Sequence, residues 1–185
     1  MRWDTLFADL EAQAAAAAAE ELAGEVAERT RLEYARIAMA DRLDTRVGTE
    51  VTLRLPHLGR CSGLLERVGP DWLLVDLRPG PGELVVATRW LVSVADLGPA
   101  ATQRDTRSVV GQRLDLRYAL RRLARERCPV TVTLADGSGA GGTIDRVGED
   151  HLDLAEHPAG EPRRPSAVRA IQTIALPAVV AVRSR

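Results

Sequence analysis

The sequence predicts an α+β chain: a long N-terminal helix followed by two five-stranded small β-barrels, each preceded by a helix. Three observations carry this. Residues 1–47 contain no proline and are rich in Ala, Glu, Leu and Arg, all strong helix formers. The rest of the chain repeats itself at a fixed offset. Each copy holds five short segments of alternating hydrophobicity, separated by turn residues. The predicted organisation is 1–47 for the helix, 48–98 for the first barrel, 99–128 for a linker and basic helix, and 129–185 for the second barrel.

The first helix is expected from about Asp4 to Val47. Trp3, Leu6, Phe7, Leu10, Ala14 and Ala17 keep a three-four spacing, which Leu32, Arg36, Met39, Leu43 and Val47 continue more loosely. Gly24 costs about 1 kcal/mol relative to alanine and is expected to hinge two segments. A helix of about 44 residues would span roughly 65 Å, more than the width of a five-stranded barrel. Periodic helices longer than about 25 residues generally lie against another helix. The sequence therefore predicts association through residues 1–47, as a homodimer or with a protein partner. The run Ala14–Ala19 would let a partner backbone approach closely.

The repeat is read directly from the residues. Val51-Thr-Leu-Arg-Leu55 matches Val130-Thr-Val-Thr-Leu134 at a shift of 79 residues. The same shift carries Gly63–Val75 onto Gly142–Leu154, with Gly, Arg-Val-Gly and Asp recurring in place. Further on the shift is 88, so Val86-Ala87 meets Ile174-Ala175 and Val94 meets Val182. The nine extra residues fall in the Pro- and Gly-rich segment His157–Pro165, a loop by composition. In the first copy the strands are expected near Val51–Leu55, Arg60–Val68, Trp72–Leu77, Glu83–Ala87 and Leu91–Leu97. Asp136-Gly137, Gly69-Pro-Asp71 and Gly148-Glu-Asp150 supply tight turns, and Arg89-Trp90 and Pro177-Ala178 suit single 3₁₀ turns. Five strands this short cannot bury a flat sheet, which argues for curling into a barrel without exposed edges. A second helix is expected over Ser108–Arg125, after a polar linker at Gly98–Arg107.

Gly63-x-Leu65-x-x-Val68 and Gly142-x-Ile144-x-x-Val147, each followed by an aspartate (Asp71, Asp150), resemble the first motif of Sm proteins. The order of a helix and five strands is also similar to the Sm-like small β-barrel. The resemblance implies tandem Sm-like barrels over roughly 140 residues. It does not imply the base-gripping residues of Sm rings. Gly69-Pro70 and Gly148-Glu149 separate the hydrophobic residue from the aspartate, and the chain contains no asparagine. The arginine-glycine of the second Sm motif is absent after Val85-Val86. The start Arg2-Trp3-Asp4-x-Leu6-Phe7-x-Asp9-Leu10 also resembles an actinobacterial family of two-barrel proteins, a likeness that implies no activity.

Composition narrows the function classes. All 25 cationic side chains are arginine, with no lysine, which reads as codon usage in a high-GC actinobacterial genome. Against 26 acidic residues the net charge is −1, which disfavours a uniformly basic nucleic-acid protein. Aromatics at 3% leave few stacking platforms for single strands. Cys61 and Cys128 form neither a disulfide framework nor a metal spacing, consistent with a reduced cytoplasmic setting. No apolar run approaches membrane-spanning length, and no membrane partner is expected. Gly137, Gly139 and Gly142 spell a dinucleotide-type glycine pattern, but it joins strand to strand rather than strand to helix, so it reads as a hairpin. His57, His151 and His157 read as structural or surface residues, and His151 stands where the first copy has Trp72. No catalytic, metal-binding or cofactor-binding constellation emerges, and no cofactor is expected.

Charge is unevenly distributed. Residues 1–49 carry 6 arginines against 10 acids, whereas residues 99–129 carry 8 against 3. Arg113, Arg117, Arg121 and Arg125 recur every fourth residue, with Arg122 and Arg127 beside them. This ridge suits an ion-paired face, a phosphate-binding surface or an acidic partner. The functional expectation is a non-enzymatic scaffold or adaptor in the cytoplasm. The alternative is a nucleic-acid-binding regulator using these six arginines on phosphates.

Overall fold

The computed structural model describes residues 2–98, 114–158, 163–164 and 166–184. It divides into two units, Met1–Ala38 and Met39–Arg185. The first unit is a single helix, α1 (Arg2–Ala35), of 34 residues. Its high Ala, Glu and Leu content accounts for its formation. It runs through Gly24 unbroken, so the expected hinge is not formed there. One glycine costs about 1 kcal/mol but leaves the backbone hydrogen bonds intact. The break falls instead after Ala35, where the amides of Arg36 and Ile37 turn back onto the carbonyls of Glu33 and Tyr34 at 3.1 Å. Every side chain from Phe7 to Arg36 is exposed.

The second unit begins with a short helix, α2 (Met39–Asp44), anchored by buried Leu43. The first repeat follows as β1 (Glu50–Leu55), β2 (Gly59–Val68), β3 (Trp72–Leu77), β4 (Glu83–Ala87), a 3₁₀ turn over Thr88–Trp90 and β5 (Ser93–Ala95). Helix α3 (Leu116–Glu126) leads to the second repeat. That repeat comprises β6 (Pro129–Leu134), β7 (Gly139–Val147), β8 (His151–Glu156), β9 (Ala170–Ala175), a 3₁₀ turn over Leu176–Ala178 and β10 (Val179–Ser184).

These strands do not make the two separate Sm-like small β-barrels that the sequence predicted. They form one open antiparallel sheet of ten strands in the order β5-β1-β2-β3-β4-β10-β6-β7-β8-β9. The cause is the pairing of β4 with β10, in which Val86 faces Ala181 and Glu83 faces Ser184. Each repeat thus covers one edge with its sister instead of closing on itself, which satisfies the same backbone groups.

Within this sheet the two repeats are built in the same register. Trp72 faces Ala87 in β3–β4, and His151 faces Ala175 in β8–β9. Leu53 faces Val94 as Val132 faces Val182. Both long second strands carry a bulge at matching places, between Leu65 and Arg67 and between Ile144 and Arg146. Both also need a glycine at one site. A Cβ on Gly63 would strike the carbonyl of Asp76, and one on Gly142 would strike that of Ala155. Only a residue without a side chain lets the paired backbone come this close.

The cores interlock across the junction. One contains Leu43, Val51, Leu53, Leu65, Leu73, Val75, Leu84 and Val86 together with Val180 and Ala181 of the second repeat. The other joins α3 and the second repeat to Trp72, Leu74, Val85 and Ala87 of the first. Strands β3 and β4 are therefore buried on both faces.

Substituting Gly142→Ala is expected to destabilise the sheet unit by about 3 kcal/mol, because the clash is with backbone that cannot swing away. The neighbouring Gly141→Ala, with nothing within 4 Å of the new Cβ, should change little. Urea unfolding of both variants checks the contrast.

Candidate functional site

Arg117, Arg121, Arg122 and Arg125 of the predicted arginine ridge lie on α3, and the helix is held by its own sequence. Asp115 caps the N-terminus, its carboxylate accepting from the amide of Tyr118 at 3.1 Å. Leu116, Ala119, Leu120 and Leu123, spaced for one face, are buried against β7 and the core. Two bonds fix the start of the helix to the β2–β3 turn. The Trp72 indole donates to the carbonyl of Leu114 at 2.7 Å, and the amide of Leu116 donates to Asp71 at 2.7 Å. At the other end Arg127 takes a left-handed conformation (φ 52) and its amide closes on Ala124.

The six predicted arginines are not equivalent. Arg113 lies outside the described residues. Arg117 donates to Asp115 at 2.6 Å, and Arg122 to Glu126 at 2.9 Å, so both are occupied by acids of their own helix segment. Arg127 is exposed and its backbone ends the helix. Arg121 and Arg125 are exposed and carry no ion pair among the described residues.

The structure adds two cations that a reading along the helix missed. Arg146 of β7 lines an open groove of about 500 Å³ with Tyr118, Arg121, Arg125 and Val147. The one acid in that groove, Asp145, is already paired with Arg163 at 2.7 Å. On the other flank of α3, Arg67 of β2 lines a hollow with Tyr118, Arg122 and Glu83. Arg67 and Arg146 are equivalent residues of the two repeats, each placed just after its bulge. The recurring Arg-Val-Gly triplet was the available signal.

The remaining polar groups have local structural roles. His57 is bonded to the carbonyl of Ala135 at 2.9 Å, tying the β1–β2 turn to the β6–β7 turn. His157 is buried, bonded to the Thr143 hydroxyl at 2.8 Å. Burial pushes the Cys61 thiol up, with the Arg183 charge opposing, which is the reverse of what an activated thiolate needs. Among the described residues no three His, Cys, Asp or Glu side chains gather as a metal site. No described helix is long and apolar enough to cross a membrane. Comparison with protein-family models, curated proteins and solved structures finds no match for the chain.

One pair of neighbouring groups shifts each other's protonation. His151 bonds Asp150 at 2.8 Å, which raises the imidazole above its ordinary value and holds the carboxyl below its own. The raised histidine stabilises the fold at low pH and loses this as pH rises through its shifted value. The depressed carboxylate contributes above its ordinary value and loses this as pH falls. The pair therefore contributes most between the ordinary carboxylate and imidazole values. Titration followed by NMR should place His151 above an ordinary histidine, and Asp150→Asn should bring it back down.

Proposed function

We propose that the protein is a non-enzymatic interaction module whose association element is α1. One observation carries this reading. The first unit is a lone helix in which Phe7, Leu10, Leu22, Val26 and Leu32 are all more than half exposed. A helix about 50 Å long presenting large apolar side chains leaves that apolar surface in water when it stands alone. It gains further stability when a partner helix covers those side chains. A second copy of α1 supplies such a surface at no further cost in sequence, with the alanine run allowing close approach. Light scattering on the full chain should return a mass above that of the monomer. The double substitution Leu22→Gln, Val26→Gln should weaken that association at least tenfold while leaving the melting of the sheet unit unchanged. A mass indifferent to these substitutions removes α1 as the association element.

A second reading is favoured by Arg121, Arg125 and Arg146, three cations without an ion pair among the described residues that converge beside Tyr118. This surface suits a phosphate backbone, with the tyrosine beside it available for stacking. If it meets nucleic acid, low-salt binding to a labelled duplex should weaken steeply with salt. Replacing the three arginines by alanine should flatten the logarithmic salt slope by about 0.9 for each phosphate no longer neutralised. Equal binding by the triple variant would overturn this second reading.

A further inference from the structure

The duplication leaves one surface of each repeat without its counterpart. Inside the chain, the outer edge of β4 is paired with the outer edge of β10. Equivalence of the repeats makes β9 the counterpart of β4 and β5 the counterpart of β10. Those two strands stand at the opposite ends of the sheet, each paired on one side only among the described residues. Among the described residues, both halves of a junction that the chain already uses once therefore stand without a strand partner.

Three observations bear on these edges. Natural sheets guard exposed edges with charges, prolines or bulges. Here β9 (Ala170-Ile-Gln-Thr-Ile-Ala175) contains no charged residue and no proline, while β5 (Ser93-Val94-Ala95) is only three residues long and is ended by Asp96 in a left-handed conformation (φ 54). Second, Val180 of the internal junction is fully buried in the core of the opposite repeat, while its counterpart Val92 is 58% exposed. Third, Ile171 on β9 is 63% exposed, so an exposed aliphatic side chain stands at each of these edges, Val92 just before β5 and Ile171 on β9.

We infer that the edge of β9 takes up the β5 edge of a second copy of this chain, in the register of the internal β4–β10 junction. Transferring that register puts Ser93 opposite Ile174, Val94 opposite Thr173 and Ala95 opposite Gln172; Asp96, left-handed at φ 54, ends the pairing where Ser184 continues it inside the chain. The contact is heterologous, head to tail, because the two edges differ. It is weaker than the internal junction for two reasons. Gln172 and Thr173 stand where β4 has Leu84 and Val85, so less apolar surface is buried. The internal junction is also tethered by the chain, whereas this one forms only as concentration rises. The inference does not depend on the role of α1.

Two full-length single variants, Ala95→Cys and Gln172→Cys, test the register directly. Mixed at high micromolar concentration under mild oxidation, they should give a one-to-one disulfide dimer that neither forms alone above the background from Cys61 and Cys128. Adding Val92→Arg to the Ala95→Cys chain should abolish that dimer without lowering its melting temperature. Adding Leu22→Gln and Val26→Gln should leave it in place, which separates the edges from association through α1. Absence of a mixture-specific cross-link, self-cross-linking of Ala95→Cys, or a cross-link indifferent to Val92→Arg would each overturn the inference.

Discussion

The pairing of β4 with β10 is the interaction on which the sheet unit depends. It does more than join two edges by main-chain bonds. On one face it carries Val180 and Ala181 into the core of the first repeat, where both are almost fully buried. On the other, Val85 and Ala87 of the first repeat join Trp72 and Leu74 in the core assembled by α3 and the second repeat. Pulling the repeats apart would expose two cores and unpair two central strands together. Such coupling makes the sheet a single cooperative structure rather than two modules on a string.

Much of this was legible in the residues, because a duplicated sequence preserves register. The offsets of 79 and 88 residues reproduce the observed strand pairs one by one, including the bulged second strand and its obligatory glycine. What misled was a rule applied one repeat at a time. Each copy has edges to hide, and closure into a barrel hides them, but so does a sister copy. A signal of the true arrangement was present. Trp72-Leu-Leu-Val75 and Leu84-Val-Val-Ala87 are apolar at every position, as strands buried on both faces must be. Their counterparts His151-Leu-Asp-Leu154 and Gln172-Thr-Ile-Ala175 are not. The asymmetry between copies marks which edge is interior. In α1, the misplaced hinge has a simpler cause: a lone glycine lowers helix stability without removing a hydrogen bond.

The arginine ridge was legible as a spacing but not as a surface. A period of four residues places side chains along α3 without saying which of them meet an acid. Asp115 and Glu126 sit within a turn of Arg117 and Arg122 and engage them, as i,i+4 geometry and the helix cap allow. The cations that remain available are joined by Arg67 and Arg146, which lie far away in sequence and arrive through the sheet. Non-local placement of this kind leaves no periodic trace.

The same pairing pattern sets the local charge. Asp115 and Glu126, the acids at the two ends of α3, are both engaged within the helix segment, and Asp145 of the adjoining strand is engaged by Arg163. These acids could turn to Arg121, Arg125 or Arg146 only by leaving Arg117, Arg122 or Arg163, which would move the excess positive charge without reducing it. Within the lining of this groove no acid other than Asp145 stands beside the three arginines. Near-neutrality of the whole chain does not remove that local excess, because charges separated by more than about 10 Å are screened from each other at moderate salt. The small net charge is therefore compatible with a local excess of positive charge along this groove.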